Sequence, residues 1–175
     1  MAPLGCGVMT GMGTVLNHLK PAPGSSIAVF GAGAVGLAAV MAARIVGCRE
    51  IIAVDIRANR LDVARAVGAT HAIEGSADDL VDAIIRATDG GAHYSMDTTG
   101  VPKIAESSIL CLRKRGRSAQ VAAAKPGTRY SVDPTQLLSR GIDLGVVVEG
   151  DIVPSQFIPQ MIDFYRRDCC HYKPS

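Results

Sequence analysis

The sequence predicts an α/β protein: a doubly wound, six-stranded parallel sheet between two layers of helix, αβα. Two observations lead there. Short apolar runs bounded by glycine or turn residues alternate with helix-patterned stretches along the chain, as they do where crossover helices join parallel strands. In addition, Ile27 to Asp55 holds a strand, a glycine-rich turn, an alanine-rich helix and a second strand in immediate succession. Right-handed crossovers then bring all the strand C-termini to one edge of the sheet, where a ligand belongs.

Taken in order, Met12, Val15, Leu16 and Leu19 fall at helical spacing and predict a helix over about Gly11 to His18. Pro21-Ala22-Pro23-Gly24 turns the chain into a buried strand, Ile27 to Phe30. The turn Gly31-Ala32-Gly33-Ala34-Val35-Gly36 follows. Leu37 to Val46 is alanine-rich and free of proline, a helix packed tightly on the sheet, with Gly47 as its left-handed cap. Ile51 to Val54 is the second strand and ends on Asp55. Ala58 to Val67 is an amphipathic helix carrying Leu61, Ala64 and Val67, closed by Gly68. Thr70 to Ile73 is a short third strand. Ala77 to Ala87 is a helix in which Asp82 and Arg86 are spaced as an (i, i+4) ion pair.

Past the Asp89-Gly90-Gly91 turn, Ala92 to Asp97 is the fourth strand and Thr98-Thr99-Gly100 a loop. Pro102 opens a helix to about Leu112. Arg113, Lys114 and Arg115 are expected at its C-terminus, a solvated end favoured by the helix dipole rather than a ligand site. Ser118 to Ala122 is the fifth strand, Pro134 to Ser139 a short helix and Ile142 to Val148 the sixth strand. A last helix covers Pro154 to Arg166, with Pro159 where it could break it.

The chemistry gathers in G-A-G-A-V-G. Gly31 permits the tight turn out of the strand, Gly33 leaves the backbone open to a pyrophosphate, and Gly36 lets helix and strand approach. Ala34 and Val35 lie within the turn, and the N-terminus of the helix behind it offers unpaired N–H groups and a partial positive charge. Asp55 follows Gly36 by nineteen residues, at a strand end, where a carboxylate can accept ribose hydroxyls. The competing reading is a turn that merely packs. Its place between a strand and a helix, with the acid at the expected distance, favours a dinucleotide.

The remaining composition narrows the class. The 175 residues are enough for one sizeable core, and 48% hydrophobic against 19% charged excludes a disordered chain. No apolar run is long and unbroken enough to span a membrane. Met1 to Gly5 lacks the regions of a signal peptide, so a cytoplasmic location is expected. A net charge of +2 is too small to suggest nucleic acid. Cys6, Cys48, Cys111, Cys169 and Cys170 form no C-x-x-C pair and read as free thiols.

Together these residues resemble the zinc-dependent medium-chain alcohol dehydrogenases over about Leu4 to Tyr165. The resemblance is carried by L-G-C-G-V-M-T-G, P-G-S-S-I-A-V-F-G-A-G-A-V-G, A-V-D-I-R-A-N-R, V-G-A-T-H and M-D-T-T-G. V-V-V-E-G-D is similar to the aryl or benzyl alcohol branch. The resemblance implies NAD(H) as cofactor in a Rossmann domain. It implies that Thr10 and Val35 touch the nicotinamide, that Asp55 and Arg60 stand at the adenosine ribose, and that Thr98 lies in the loop covering the adenosine. The backbone at Ala123 and Val148 would hold the carboxamide; Ala122 stands where the family often has glycine. Cys6 matches one of the family's catalytic zinc ligands, although read by itself it is a small buried residue.

In that family most of the catalytic domain precedes the G-C-G-x-x-T-G segment. The expected organisation is therefore a linker helix from a missing catalytic domain (1–24), an NAD-binding Rossmann domain (25–166) and a disordered tail (167–175). Cys169, Cys170 and His171 would chelate a metal awkwardly. A catalytic zinc needs three protein ligands and an open position, so zinc is expected only with a catalytic domain present. The expected function is the NAD(H)-binding domain of an oxidoreductase for primary alcohols, aromatic ones included, inactive alone. The alternatives are an enzyme completed by a partner chain and a non-enzymatic nucleotide-binding or interaction protein. A homodimer is expected through Ile142 to Val148, an apolar edge without proline, lysine or arginine. That edge joins coenzyme domains in the family resembled. Exposed apolar surface is expected around Met9, Met12, Phe157 and Met161.

Overall fold

In the computed structural model, which describes residues 6–166, the strands are β1 (Ser26–Phe30), β2 (Glu50–Asp55), β3 (His71–Glu74), β4 (Ala92–Asp97), β5 (Leu112–Gln120) and β6 (Asp143–Val146). All pair in parallel, in the order β3-β2-β1-β4-β5-β6. The order reverses between β1 and β4, which is the doubly wound arrangement the sequence predicts. The helices are α1 (Gly7–Gly13), running into a π-helical segment (Thr14–Leu19), then α2 (Ala34–Ile45), α3 (Ala58–Val67), α4 (Leu80–Ala87), α5 (Pro102–Leu110), α6 (Pro134–Arg140) and α7 (Pro154–Arg166). The tail expected to be disordered, with Cys169, Cys170 and His171, lies outside the described residues.

Alternation along the strands makes the three layers. On β1, Ile27 and Val29 face a core with Met12, Val15, Ala39, Ala43 and Ala64, supplied by α1, the π-helix, α2 and α3. Ala28 and Phe30 face the other way, onto Leu80, Ile84, Cys111 and Leu112. Each face takes every second residue, so both sides of the sheet are buried and its strands read as continuous apolar runs. Gly47, at φ +79°, closes α2: its N–H bonds to Arg44 and that of Cys48 to Ala43, the left-handed cap expected from the sequence.

Several expectations are corrected. The first helix begins at Gly7 rather than Gly11, because Gly11 is the residue that lets it lie against α2: a Cβ there would stand 2.1 Å from the Val35 carbonyl oxygen. Arg86 pairs with Asp79 at 2.6 Å, not with Asp82; the two lie two turns apart on one side of the helix. Pro159 does not break α7. It is the sixth of thirteen helix residues and faces solvent, as does Ser155, whose carbonyl loses the helix bond to it and stays open to water. Met9, Met12, Phe157 and Met161 are not exposed; α7 packs on α1 and all four are 2–5% accessible.

The basic cluster is the largest correction. Arg113, Lys114 and Arg115 do not end a helix; α5 stops at Leu110, and the carbonyl of Cys111 accepts the Ala92 N–H as the chain enters the sheet. The three residues form a bulge within β5, where Leu112 pairs with Ala92 and Arg117 already with Tyr94. Arg115 takes φ +61° there. The sixth strand is also shorter than Ile142 to Val148: Ile142 caps α6 by donating to Leu137, and the last ladder bond joins the Val147 N–H to Gln120.

Arg113 is anchored by donating to Gly91 at 3.0 Å and Asp89 at 2.8 Å, and its Nη1 stands 3.0 Å from His93 Nε2. A guanidinium only donates, so Nε2 is the acceptor; Nδ1 meets Ser26 Oγ at 2.8 Å. Burial pushes the His93 pKa below its usual 6.5, and the charges of Arg113 and Arg49 push the same way. The unfolded chain then binds more protons than the native one as pH falls below 6.5, so this residue's effect is a loss of stability on acidification through that point. Thermal melts between about pH 7.5 and about pH 5.5 should show a smaller drop for His93→Gln than for the native chain. Equal drops would count against the assignment.

Candidate functional site

The strand C-termini meet at one edge, and the turn after β1 is built there without room for side chains. Gly31 has φ +91°, and a Cβ on it would lie 2.5 Å from Thr98 Oγ1. A Cβ on Gly36 would lie 1.8 Å from the Gly31 carbonyl oxygen, which brings α2 against the turn itself. Gly33 differs: no atom beyond its chain neighbours lies within 4 Å of where its Cβ would be. It is also the N-cap of α2, and no side chain caps that helix. The first-turn N–H groups therefore open onto free space beside Gly33, an anion cradle formed by the backbone.

Asp55, at the end of β2, ties this turn down. Its Oδ2 accepts the Ala32 N–H at 2.7 Å and its Oδ1 the Arg57 N–H at 2.9 Å. Two backbone donors thus fix the carboxylate while leaving lone pairs for a further donor. Arg57 and Arg60 lie beside it at the start of α3, both exposed. Thr98, at the end of β4, donates from Oγ1 to the Phe30 carbonyl at 2.8 Å and bonds the same oxygen through its N–H. It clamps β1 to β4 where the strand order reverses.

Beside this clamp lies a cleft of about 570 Å³. It brings together six of the residues expected from the sequence: Cys6, Thr10, Val35, Thr98, Ala123 and Val148. Gly31, Gly33, Ala34, Gly36, Asp55 and Arg60 fall outside its lining, on the turn, the start of α2, the end of β2 and the first turn of α3. Thr98 shares the cleft with Thr10 and Val35. Thr99, Gln120, Val121, Val147 and Glu149 also line it and were missed by sequence reasoning. Their signal was position alone, at or just past the ends of β4, β5 and β6.

Cys6, expected as a small buried residue when read by itself, is exposed at the cleft. Among the described residues no group of three or more His, Cys, Asp or Glu side chains is placed to hold a metal ion. One thiol does not fit the three-ligand requirement of catalytic zinc. Cys48 and Cys111 lie buried as free thiols, and burial pushes the Cys111 pKa up to about 12.

The zinc-binding dehydrogenase family pattern matches residues 34–167. The chain is 42% identical over 167 residues to the geraniol dehydrogenase of Castellaniella defragrans, covering 95% of this chain and 45% of that protein. It superposes on the crystal structure of benzyl alcohol dehydrogenase from Acinetobacter calcoaceticus with a TM-score of 0.94 at 42% identity, over 96% of this chain and 46% of that one. An alcohol dehydrogenase zinc-binding domain protein from Burkholderia ambifaria gives 0.92 at 48% identity, over 94% and 45%. The chain thus spans about half the length of the relatives it matches.

Gly33 offers a test that separates ligand from fold. Its φ of −77° suits any residue and the space around it is open, so Gly33→Val should melt within about 2 °C of the native chain. The branched side chain would fill the approach to the helix N-terminus. Dinucleotide affinity, measured by calorimetry, should fall by about 100-fold or more. Unchanged affinity in the folded variant would place the ligand elsewhere.

Proposed function

The chain belongs to the zinc-binding dehydrogenase family, and on that footing we propose that it is the NAD(H)-binding part of an alcohol dehydrogenase for primary alcohols, aromatic ones included. The observation that carries this is the combination at the switch point: an uncapped helix N-terminus beside the open Gly33, and the Asp55 carboxylate held on two backbone N–H groups at the next strand end. Relatives named for benzyl alcohol and geraniol support an alcohol as substrate.

In this reading the α2 N-terminus binds the pyrophosphate and Asp55 accepts the adenosine ribose hydroxyls, with Arg60 beside it. Thr10 and Val35 meet the nicotinamide, whose carboxamide takes the backbone at Ala123 and Val148. Bound nicotinamide would supply the hydride acceptor or donor. The protein's part is to bind, orient and keep the ring against the cleft. Cys6 stands as an orphan zinc ligand, and these residues by themselves should not sustain zinc-dependent turnover. That one-ligand donor set favours a second reading, a nucleotide-binding protein without catalysis. Alcohol-dependent NADH formation once a partner chain supplies the catalytic domain separates the two. Free thiols fit a cytoplasmic location, and no helix among the described residues is long and apolar enough to cross a membrane.

The same reading includes a two-fold homodimer with the β6 strands side by side. β6 is the outer strand of the sheet, and Val146 and Val148 are 75% and 73% accessible. An exposed apolar edge is a template for pairing. Sedimentation should find a native dimer and a Val146→Lys monomer. A native monomer, or a dimer indifferent to the lysine, would refute the interface.

Cofactor choice follows from Asp55. An added 2′-phosphate would face its carboxylate; at about 4 Å and an effective dielectric of about 20, two like unit charges repel by about 4 kcal/mol, less where solvent screens them. The exposed Arg57 and Arg60 soften this, so NADPH should bind about tenfold or more weakly than NADH in calorimetry. Equal or tighter NADPH binding would sink the claim, and binding of neither would sink the function.

A further inference from the structure

Resting on the cofactor reading above, we infer that His18 and Asp151 form a positioning pair that fixes the β6-side wall of the cleft, where the nicotinamide end of the cofactor would lie. The two are 133 residues apart, and His18 Nδ1 meets Asp151 Oδ2 at 2.8 Å. The π-helix makes that contact possible. Its wide turn, closed by the Lys20 N–H on the Val15 carbonyl at 2.9 Å, re-aims His18 toward β6. There Gly145 has no side chain to block the ring: a Cβ on it would stand 2.5 Å from His18 Nε2.

The segment held by the contact is the one that leaves β6 for the cleft. Its last sheet bond joins the Val147 N–H to Gln120, and the Asp151 N–H then closes a turn on the Val148 carbonyl. Within that turn Glu149 and Asp151 have φ of +49° and +50°, a left-handed conformation that side chains with a Cβ rarely adopt. Such a turn persists only when its surroundings hold it. Gly150 packs on one side, where a Cβ would lie 2.9 Å from both Gly13 Cα and the Met9 carbonyl oxygen. Asp151 is held on the other by His18. Val148 and Glu149 line the cleft from this turn, and Cys6 and Thr10 line it from the helical stretch that leads to His18. The pair therefore ties one wall of the cleft to the other. Without it, residues 148–151 are free to relax and Val148 to leave its place. The side chains are 21% and 49% accessible, so their replacement leaves the core untouched.

The test is calorimetry of the full chain with NADH and with ADP-ribose, which lacks the nicotinamide. His18→Ala and Asp151→Ala should each weaken NADH by about fivefold and leave ADP-ribose within about twofold. The double variant should be no worse than the weaker single one. His18→Asn should recover most of the affinity, because its amide N–H stands close to where Nδ1 stood. Unchanged NADH affinity in both single variants, or an equal loss for ADP-ribose, would overturn the assignment. Hydrogen exchange at the amides of residues 148–151 reads the contact without any ligand and should quicken in His18→Ala. Faster exchange with no NADH binding even by the native chain would sink the cofactor reading, and the cofactor role of the pair with it. Unchanged exchange would sink the pair itself.

Discussion

Steric closeness at the end of β1 is the constraint on which the rest of the molecule depends. The carbonyl of Gly31, the hydroxyl of Thr98 and the first turn of α2 occupy space that leaves no Cβ at Gly31 or Gly36. The same crowding continues outward, since Gly11 lets α1 lie on the Val35 carbonyl. Interiors are close-packed, so a side chain at any of these points would displace a helix and not merely a loop. Of the three glycines in this turn, Gly33 stands clear, and the contrast marks where packing ends and a ligand could begin.

Asp55 connects this geometry to chemistry. A carboxylate at the end of a buried strand needs partners, and two backbone N–H groups provide them. The interaction that satisfies the acid also holds the glycine turn in shape. One residue thus serves structure with its bound oxygens and keeps further lone pairs open to a donor. Thr98 does similar work across the switch point, clamping β1 to β4 while standing at the cleft.

The polar groups elsewhere follow the same economy. Gln120 donates to Ser108 and Ser118, and Ser118 accepts from Ser95, so β4, β5 and α5 are joined by side-chain hydrogen bonds near the cleft. Among the described residues no buried side-chain nitrogen or oxygen lacks a partner. A sheet satisfied in this way keeps its C-terminal edge rigid, which is what a ligand site on short loops requires.

By itself the sequence determined the strand–turn–helix of β1 and α2, the alternation of six strands with helices, and the acid at Asp55. These depend on neighbours within a few residues or on a short period, and a local pattern can carry them. Tertiary structure decided what depends on distant partners. Arg113 to Arg115 read as a helix end until Ala92 drew the chain into the sheet and made them a bulge. Arg86 had Asp79 and Asp82 both within reach along the helix, and only the folded structure chooses. Met9 and Met161 looked exposed until α7 folded onto α1. The cleft joins Cys6 to Val148 across nearly the whole chain, and the His18–Asp151 contact spans 133 residues. No local period encodes such pairs, because their geometry exists only once the crossovers have brought the ends of β4, β5 and β6 to one edge.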